Sequence, residues 1–180
     1  RYIHMKEKQL IKKLSVIQKE FDSRKHKGNA NVYLAGSWFT PNSVELLIEA
    51  YRKLAKNPTV GAIHVPVMHQ YKGSNPFVDN TFKPDQEWAT FTFKADVTAM
   101  RRADLGIILL DIDEQDQGTV WESGWLYANG KPTIGVTNGD TFNKPINLMP
   151  AQGMSTWSDV DKLDTIDLDN INTVPYKGAL

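Results

Sequence analysis

Apolar residues recur at Leu10, Leu14, Ile17 and Phe21, the stripe of one amphipathic helix over residues 5–24. Residues 26–30 are polar, contain Gly28 and read as a linker. The helix is therefore expected to be an appendage that packs on the following domain or on a neighbouring subunit. From Asn31 the pattern changes to short apolar runs separated by helical stripes. Residues 32–35 form the first predicted strand and 36–41 a loop. Asn42 or Ser43 is placed to cap a helix whose apolar face is Val44, Leu47, Ile48, Tyr51 and Leu54, and Asn57-Pro58 stops it. A second strand is expected over 60–67, with Pro66 near its end. Residues 68–84 form a polar, aromatic connection longer than most and thus a candidate for function. Asp85 can cap a helix ending at Arg102, followed by a strand over Leu105–Leu110. Thr119 opens a further helix that Asn129-Gly130 ends, then comes a strand over 132–136 and a turn at Asn138-Gly139. From Phe142 onward, short apolar pieces mix with acidic turns.

Strands alternating with helices imply an α/β domain: a mostly parallel sheet with helices on both faces, in flavodoxin- or Rossmann-like layering. The expected division is a helical extension and linker over 1–30 and one α/β domain over 31–180. In such sheets ligands bind at the carboxyl ends of the strands. Glu122, in the first turn of the helix that Thr119 opens, falls on that rim, and Tyr33, Asp96 and Asp116 lie near element ends that could converge on it.

Composition narrows the function classes. The 180 residues balance 21 basic against 21 acidic groups, so no net charge points to nucleic acid or an anionic membrane. Lys6, Lys8, Lys12, Lys13, Lys19, Arg24, Lys25 and Lys27 cluster early, but no aromatic residues interleave them, and they read as one solvated helix face. The chain has no cysteine, which removes disulfides, thiolate catalysis and cysteine metal sites. No apolar run approaches the ~18 residues of a membrane span and no signal-peptide core is evident, so the expectation is a soluble cytoplasmic protein. Arg1 to His4 precede the first methionine, Met5, and read as an added remnant rather than native sequence.

Several familiar motifs fail. Ala35-Gly-Ser-Trp-Phe39 lacks the glycine spacing of a dinucleotide fingerprint, and there is no P-loop lysine. Ser123 is flanked by Trp121 and Trp125 where a nucleophile elbow needs glycines. Asp111, Asp113, Asp116 and Gly118 have the wrong spacing for a calcium loop, and His4, His26, His64 and His69 lack zinc-ligand spacing. No metal and no cofactor enters the reading.

Carboxylates with aromatic neighbours remain, a set suited to splitting a glycosidic bond. One carboxylate attacks the anomeric carbon while a second acidic group protonates the departing base. Tyr33 could orient the nucleophile, and Phe39 and Tyr71 could sandwich a planar base. Each residue also has a plainer explanation. Thr119-x-x-Glu122 matches a capping box. Asp96 lies within a predicted helix as a surface charge or packing hydrogen-bonder, Asp116 suits a turn, and Tyr33 suits a buried core hydroxyl. Asn147 and Met149 could be loop and core.

Taken in order, Val32-Tyr-Leu-Ala-Gly-Ser-Trp-Phe-Thr40, Gln70-Tyr-Lys-Gly73, Trp88-Ala-Thr90 with Asp96, Asp113-Glu-Gln-Asp-Gln-Gly118 with Glu122, and Asn143-Lys-Pro-Ile-Asn-Leu-Met149 resemble the nucleoside 2-deoxyribosyltransferases, in the branch that accepts both purines and pyrimidines. The resemblance runs from about Asn31 to the end of the chain. It implies a two-step transfer of 2-deoxyribose between bases, with deoxynucleosides and free nucleobases as substrates. Glu122 aligns with the nucleophile that attacks C1′, Tyr33 with the tyrosine that positions it, and Asp96 and Asp116 with the carboxylates that handle the base. Gln70 and Phe39 match residues lining the base site. Asn147 and Met149 match residues that a neighbouring subunit contributes to the sugar, which implies a homo-oligomer, a dimer-based hexamer in family members. Two departures stand out. Short family members have no counterpart of the helix over 5–24, and the chain ends Tyr176-Lys-Gly-Ala-Leu180 where family chains often end on an aromatic residue whose carboxylate reaches a neighbouring site.

Two rivals accompany this expectation. A hydrolase of nucleosides or nucleoside monophosphates on the same fold would use water as acceptor; a pocket for the 5′-phosphate would show serine or arginine, whereas the candidate loops offer Gln70 and Asn147. A nucleoside-binding domain without catalysis would be favoured by loss of Glu122, which is present.

Overall fold

In the computed structural model, residues 2–73, 83–137 and 144–180 are described, with side chains from Gln9 onward. Lys6, Lys8, Asn138, Gly139 and Asn143, and most of the connection expected over 68–84, lie outside the described side chains or residues. The elements are helix α1 (Tyr2–Asp22), strand β1 (Ala30–Gly36), α2 (Pro41–Leu54), β2 (Val60–His64), α3 (Gln86–Arg102), β3 (Leu105–Leu110), α4 (Gln117–Ala128), β4 (Thr133–Thr137), α5 (Leu148–Gly153) and β5 (Thr156–Ser158). The five strands form one sheet in the order β2-β1-β3-β4-β5, and every adjacent pair is parallel. This is the doubly wound order whose switch point falls between β1 and β3.

Alternation along the strands divides the core in two. Val32 and Leu34 of β1, Ile107 and Leu109 of β3, and Ile134 and Val136 of β4 face α1 and α2, packing with Leu10, Leu14, Ile17, Phe21, Leu47 and Leu54. The intervening residues Tyr33, Ala35, Ile108 and Leu110 face α3, α4 and α5 through Met100, Leu126 and Met154. Helix α1 is thus part of the main hydrophobic cluster, with Leu10 and Leu14 almost fully buried. Arg24 ties the following segment down by donating from Nη1 to the carbonyls of Ala55 and Asn57 at 2.8 and 3.0 Å. No helix among the described residues is long and apolar enough to cross a membrane.

Several boundaries differ from the sequence-based expectation, each for a local reason. Helix α2 is capped by Thr40, not Asn42 or Ser43. The Thr40 Oγ1 accepts from Ser43 N at 3.1 Å, Ser43 Oγ bonds back to Thr40, and Pro41 occupies the first helical position, where a missing N–H is harmless. Strand β2 stops at His64 because Pro66 starts a short 3-10 turn through Met68. Helix α4 begins at Gln117 rather than Thr119, capped by Asp116. The tail from Phe142, read only as short pieces, supplies α5 and the edge strand β5. The C-terminal end of α4 follows expectation, with Gly130 at φ 67°, where a Cβ would be strained.

Candidate active site

The site grows from strand register. Tyr33 of β1 lies opposite His64 of β2 and Gly106 of β3. Its ring is fully buried, and its hydroxyl donates to Glu122 Oε1 on α4 at 2.6 Å. Burial first, then the charges of Glu122 and Asp96, push the ionisation of Tyr33 far above the ordinary phenol range, so it stays a donor.

Glu122 is half-buried in the second turn of α4, not the first. The capping-box reading of this residue does not hold. Asp116 does the capping, its Oδ2 accepting from Thr119 N at 2.7 Å and Thr119 Oγ1 at 2.9 Å. Glu122 is thereby left to Tyr33. Its pKa is raised from 4.5 to about 7, chiefly by desolvation, which the Tyr33 hydrogen bond opposes and the nearby charges of Asp96 and Asp116 reinforce.

Asp96 lies within α3 rather than at an element end, half-buried, with Oδ1 turned to His64 Nε2 at 3.5 Å. Four residues named from the sequence thus meet: Tyr33 and Glu122 by direct contact, Asp96 and Asp116 through their charges on Glu122.

The remaining four are placed around this group rather than on it. Phe39 follows β1, 53% exposed and packed on Trp38 with ring centroids 5.4 Å apart. Gln70 donates from Nε2 to Pro66 O at 2.9 Å, which orders the turn after β2. Asn147 caps α5 by accepting from Met149 N at 3.0 Å. Met149, 76% exposed, lines a groove of about 460 Å³ with Val120, Gly124 and Tyr127. At ~100° per residue those three α4 residues lie on the face opposite Glu122. The chain therefore does not bring its own Met149 to its own Glu122.

Sequence reasoning set the histidines aside, yet two of them border the site. His64 stacks on Tyr33 at 5.4 Å and on His69 at 4.2 Å. The signal that could have found His64 was its place at the carboxyl end of a strand. Beside it opens a cavity of about 630 Å³ lined by residues including His64, Tyr71, Phe91, Lys94 and Arg102; neither Tyr33 nor Glu122 lines it. The acidic turn after β3 is engaged internally: Asp111 Oδ2 accepts from Thr40 Oγ1 at 3.0 Å, and Asp113 pairs with Lys144 at 2.7 Å. Among the described residues, no group of three or more His, Asp or Glu is gathered to hold a metal ion.

A parallel doubly wound sheet with a tyrosine-held glutamate and two nearby aspartates defines an α/β protein with a cluster of carboxylates beside its sheet. The chain belongs to the nucleoside 2-deoxyribosyltransferase family, whose model matches residues 32–149. It is 31% identical over 147 residues to a nucleoside deoxyribosyltransferase of Limosilactobacillus fermentum, covering 80% of this chain and 88% of that protein. A nucleoside deoxyribosyltransferase of Lactobacillus leichmannii is 32% identical over 120 residues, covering 66% of this chain and 76% of its own. Among solved structures, a 2-deoxyribosyltransferase from Bacillus psychrosaccharolyticus superimposes with a TM-score of 0.60 at 27% identity, covering 81% of this chain and 98% of that one.

Proposed function

We propose that this protein transfers 2-deoxyribose between purine and pyrimidine bases by double displacement, with Glu122 as nucleophile. The carrying observation is the 2.6 Å hydrogen bond from Tyr33 to Glu122, which aims one carboxylate oxygen and leaves the other for substrate. In the first step a Glu122 oxygen bonds to C1′ of a deoxynucleoside as the C1′–N bond breaks. The bonding pair leaves on the base, and Asp96 or Asp116 supplies its proton. In the second step the incoming base gives its proton back to that aspartate, its nitrogen attacks C1′, and Glu122 departs as carboxylate. Two inversions retain the configuration at C1′.

Burial and the charges of Asp96 and Asp116 raise the Glu122 pKa, and the Tyr33 hydrogen bond opposes them, favouring the ionised form that attack on C1′ requires.

In this reading Phe39 and Gln70 line the base, and Asn147 and Met149 reach the sugar of a neighbouring subunit. The exposed Tyr127, Leu148 and Met149, which line one groove, and the exposed pair Phe93 and Trp121 support an oligomer, since displayed apolar side chains suit an interface. The helix and linker over 1–30 form an addition to the α/β domain of 31–180.

The test is incubation with thymidine and adenine, resolving nucleosides and free bases by chromatography. Deoxyadenosine formed together with thymine, absent in Glu122→Ala, is the expected outcome. Thymine with free deoxyribose and no deoxyadenosine would replace the transferase reading with a hydrolase.

A further inference from the structure

His64 has no part in the reading above, yet its ring touches two residues that do. Cross-strand register sets it beside Tyr33, with the two rings inclined by 14° and their centroids 5.4 Å apart. His69 also stacks on His64, inclined by 24° at 4.2 Å. His69 is itself anchored, its Nδ1–H donating to Val65 O at 2.8 Å. Burial lowers the pKa of His69, so its ring is neutral near pH 7 and two imidazoles can stack without charge repulsion. The ring of His64 thus stacks on both His69 and Tyr33, and its Nε2 lies 3.5 Å from Asp96 Oδ1.

We infer that His64 is a positioning residue for base departure: its Nε2–H holds Asp96 Oδ1, so that Oδ2 is the oxygen presented to the base. The inference rests on the proposed role of Asp96 as proton donor. A hydrogen bond from a ring N–H favours a carboxylate in its ionised form. When Asp96 passes its proton from Oδ2 to the leaving nitrogen, negative charge develops on the group His64 faces. The contact therefore strengthens along the reaction, its 3.5 Å separation shortening as charge appears on Asp96. Catalytic contact with the substrate stays with Asp96; His64 acts through it.

The test measures single-turnover release of a series of bases of graded leaving ability. His64→Phe keeps an aromatic ring that can stack on Tyr33 and His69 but removes the N–H, and His64→Gln returns an N–H near the position of Nε2. Expected for H64F is base release slowed about 10- to 100-fold, most for the poorest leaving bases, with KM within about twofold of wild type. H64Q is expected to recover most of the rate. Base release by H64F at the wild-type rate, or H64Q as slow as H64F, would overturn the inference.

Asp96→Asn, run in parallel, separates the two claims. A slow D96N beside a fast H64F removes only the role of His64, whereas a fast D96N removes the role of Asp96 and the inference with it. On the unmodified protein, nitrogen-15 NMR of labelled histidine gives a check that does not depend on a variant folding. A proton on His64 Nε2, with a signal that moves in D96N, is expected; an unprotonated Nε2 at neutral pH would refute the arrangement.

Discussion

The Tyr33 hydroxyl and the Glu122 carboxylate, 89 residues apart in sequence, are joined by a 2.6 Å hydrogen bond that links the buried face of β1 to α4. It restrains an acidic side chain that burial would otherwise leave poorly solvated, and it does so with a donor that keeps its proton. Both consequences can be measured.

Tyr33→Phe leaves the ring in place and removes the donor. Because that hydrogen bond lowers the Glu122 pKa, its loss raises it further, and the fraction of ionised nucleophile at pH 6 falls more than at pH 9. Turnover at neutral pH is expected to drop about 10- to 100-fold, with the acid limb of the pH–rate profile displaced upward. A uniform loss at every pH would show that Tyr33 does not control Glu122 ionisation.

Glu122 also carries a stability signature. Its folded pKa, about 7, lies above the ordinary 4.5, so the folded state is penalised once the group ionises. The penalty is absent below pH 4.5, grows between 4.5 and 7, and is complete above. Glu122→Gln is therefore expected to stabilise the fold at pH 8 by about 2–3 kcal/mol and to have little effect at pH 4. Urea denaturation at the two pH values checks this; a gain of equal size at both would point to packing instead.

Asp116 combines a cap with a proposed chemical role, and two variants divide them. Asp116→Ala removes the acceptor for Thr119 N and Oγ1 and should cost about 1 kcal/mol, whereas Asp116→Asn keeps a capping oxygen and most of the stability. If Asp116 handles the base, D116N is slow although well folded. Full activity in D116N with reduced stability in D116A would confine the residue to its cap.

Leu14 of α1 is completely buried against the main cluster. Leu14→Ala is expected to destabilise the whole protein by about 2–5 kcal/mol in a single cooperative transition. A change near zero, read by thermal or urea unfolding, would make α1 a separable appendage.

Much of the architecture was readable from local pattern. The stripe Leu10, Leu14, Ile17 and Phe21 marked α1, the all-apolar run of β3 marked a strand buried on both faces, Asp85 capped α3, and Asn129-Gly130 ended α4. Caps chosen among neighbouring polar residues were less readable. Thr40 and Asp116 prevailed over Ser43 and Thr119 because the next few residues could close hydrogen bonds onto them. In the tail, β5 has only three half-buried residues, too few to show a period.

The sequence by itself determined the strand–helix alternation, and hence a parallel α/β sheet, together with an ordered set of motifs carrying Tyr33, Asp96, Asp116 and Glu122. Only the tertiary structure decided which of these touch. Residues that meet across a sheet, such as Tyr33 and His64, are selected by register, and residues that meet across layers, such as Tyr33 and Glu122, by helix rotation and packing. Both depend on the whole core at once, so no local run of sequence encodes them, and His64 beside Asp96 became visible only when β2, α3 and β1 were assembled.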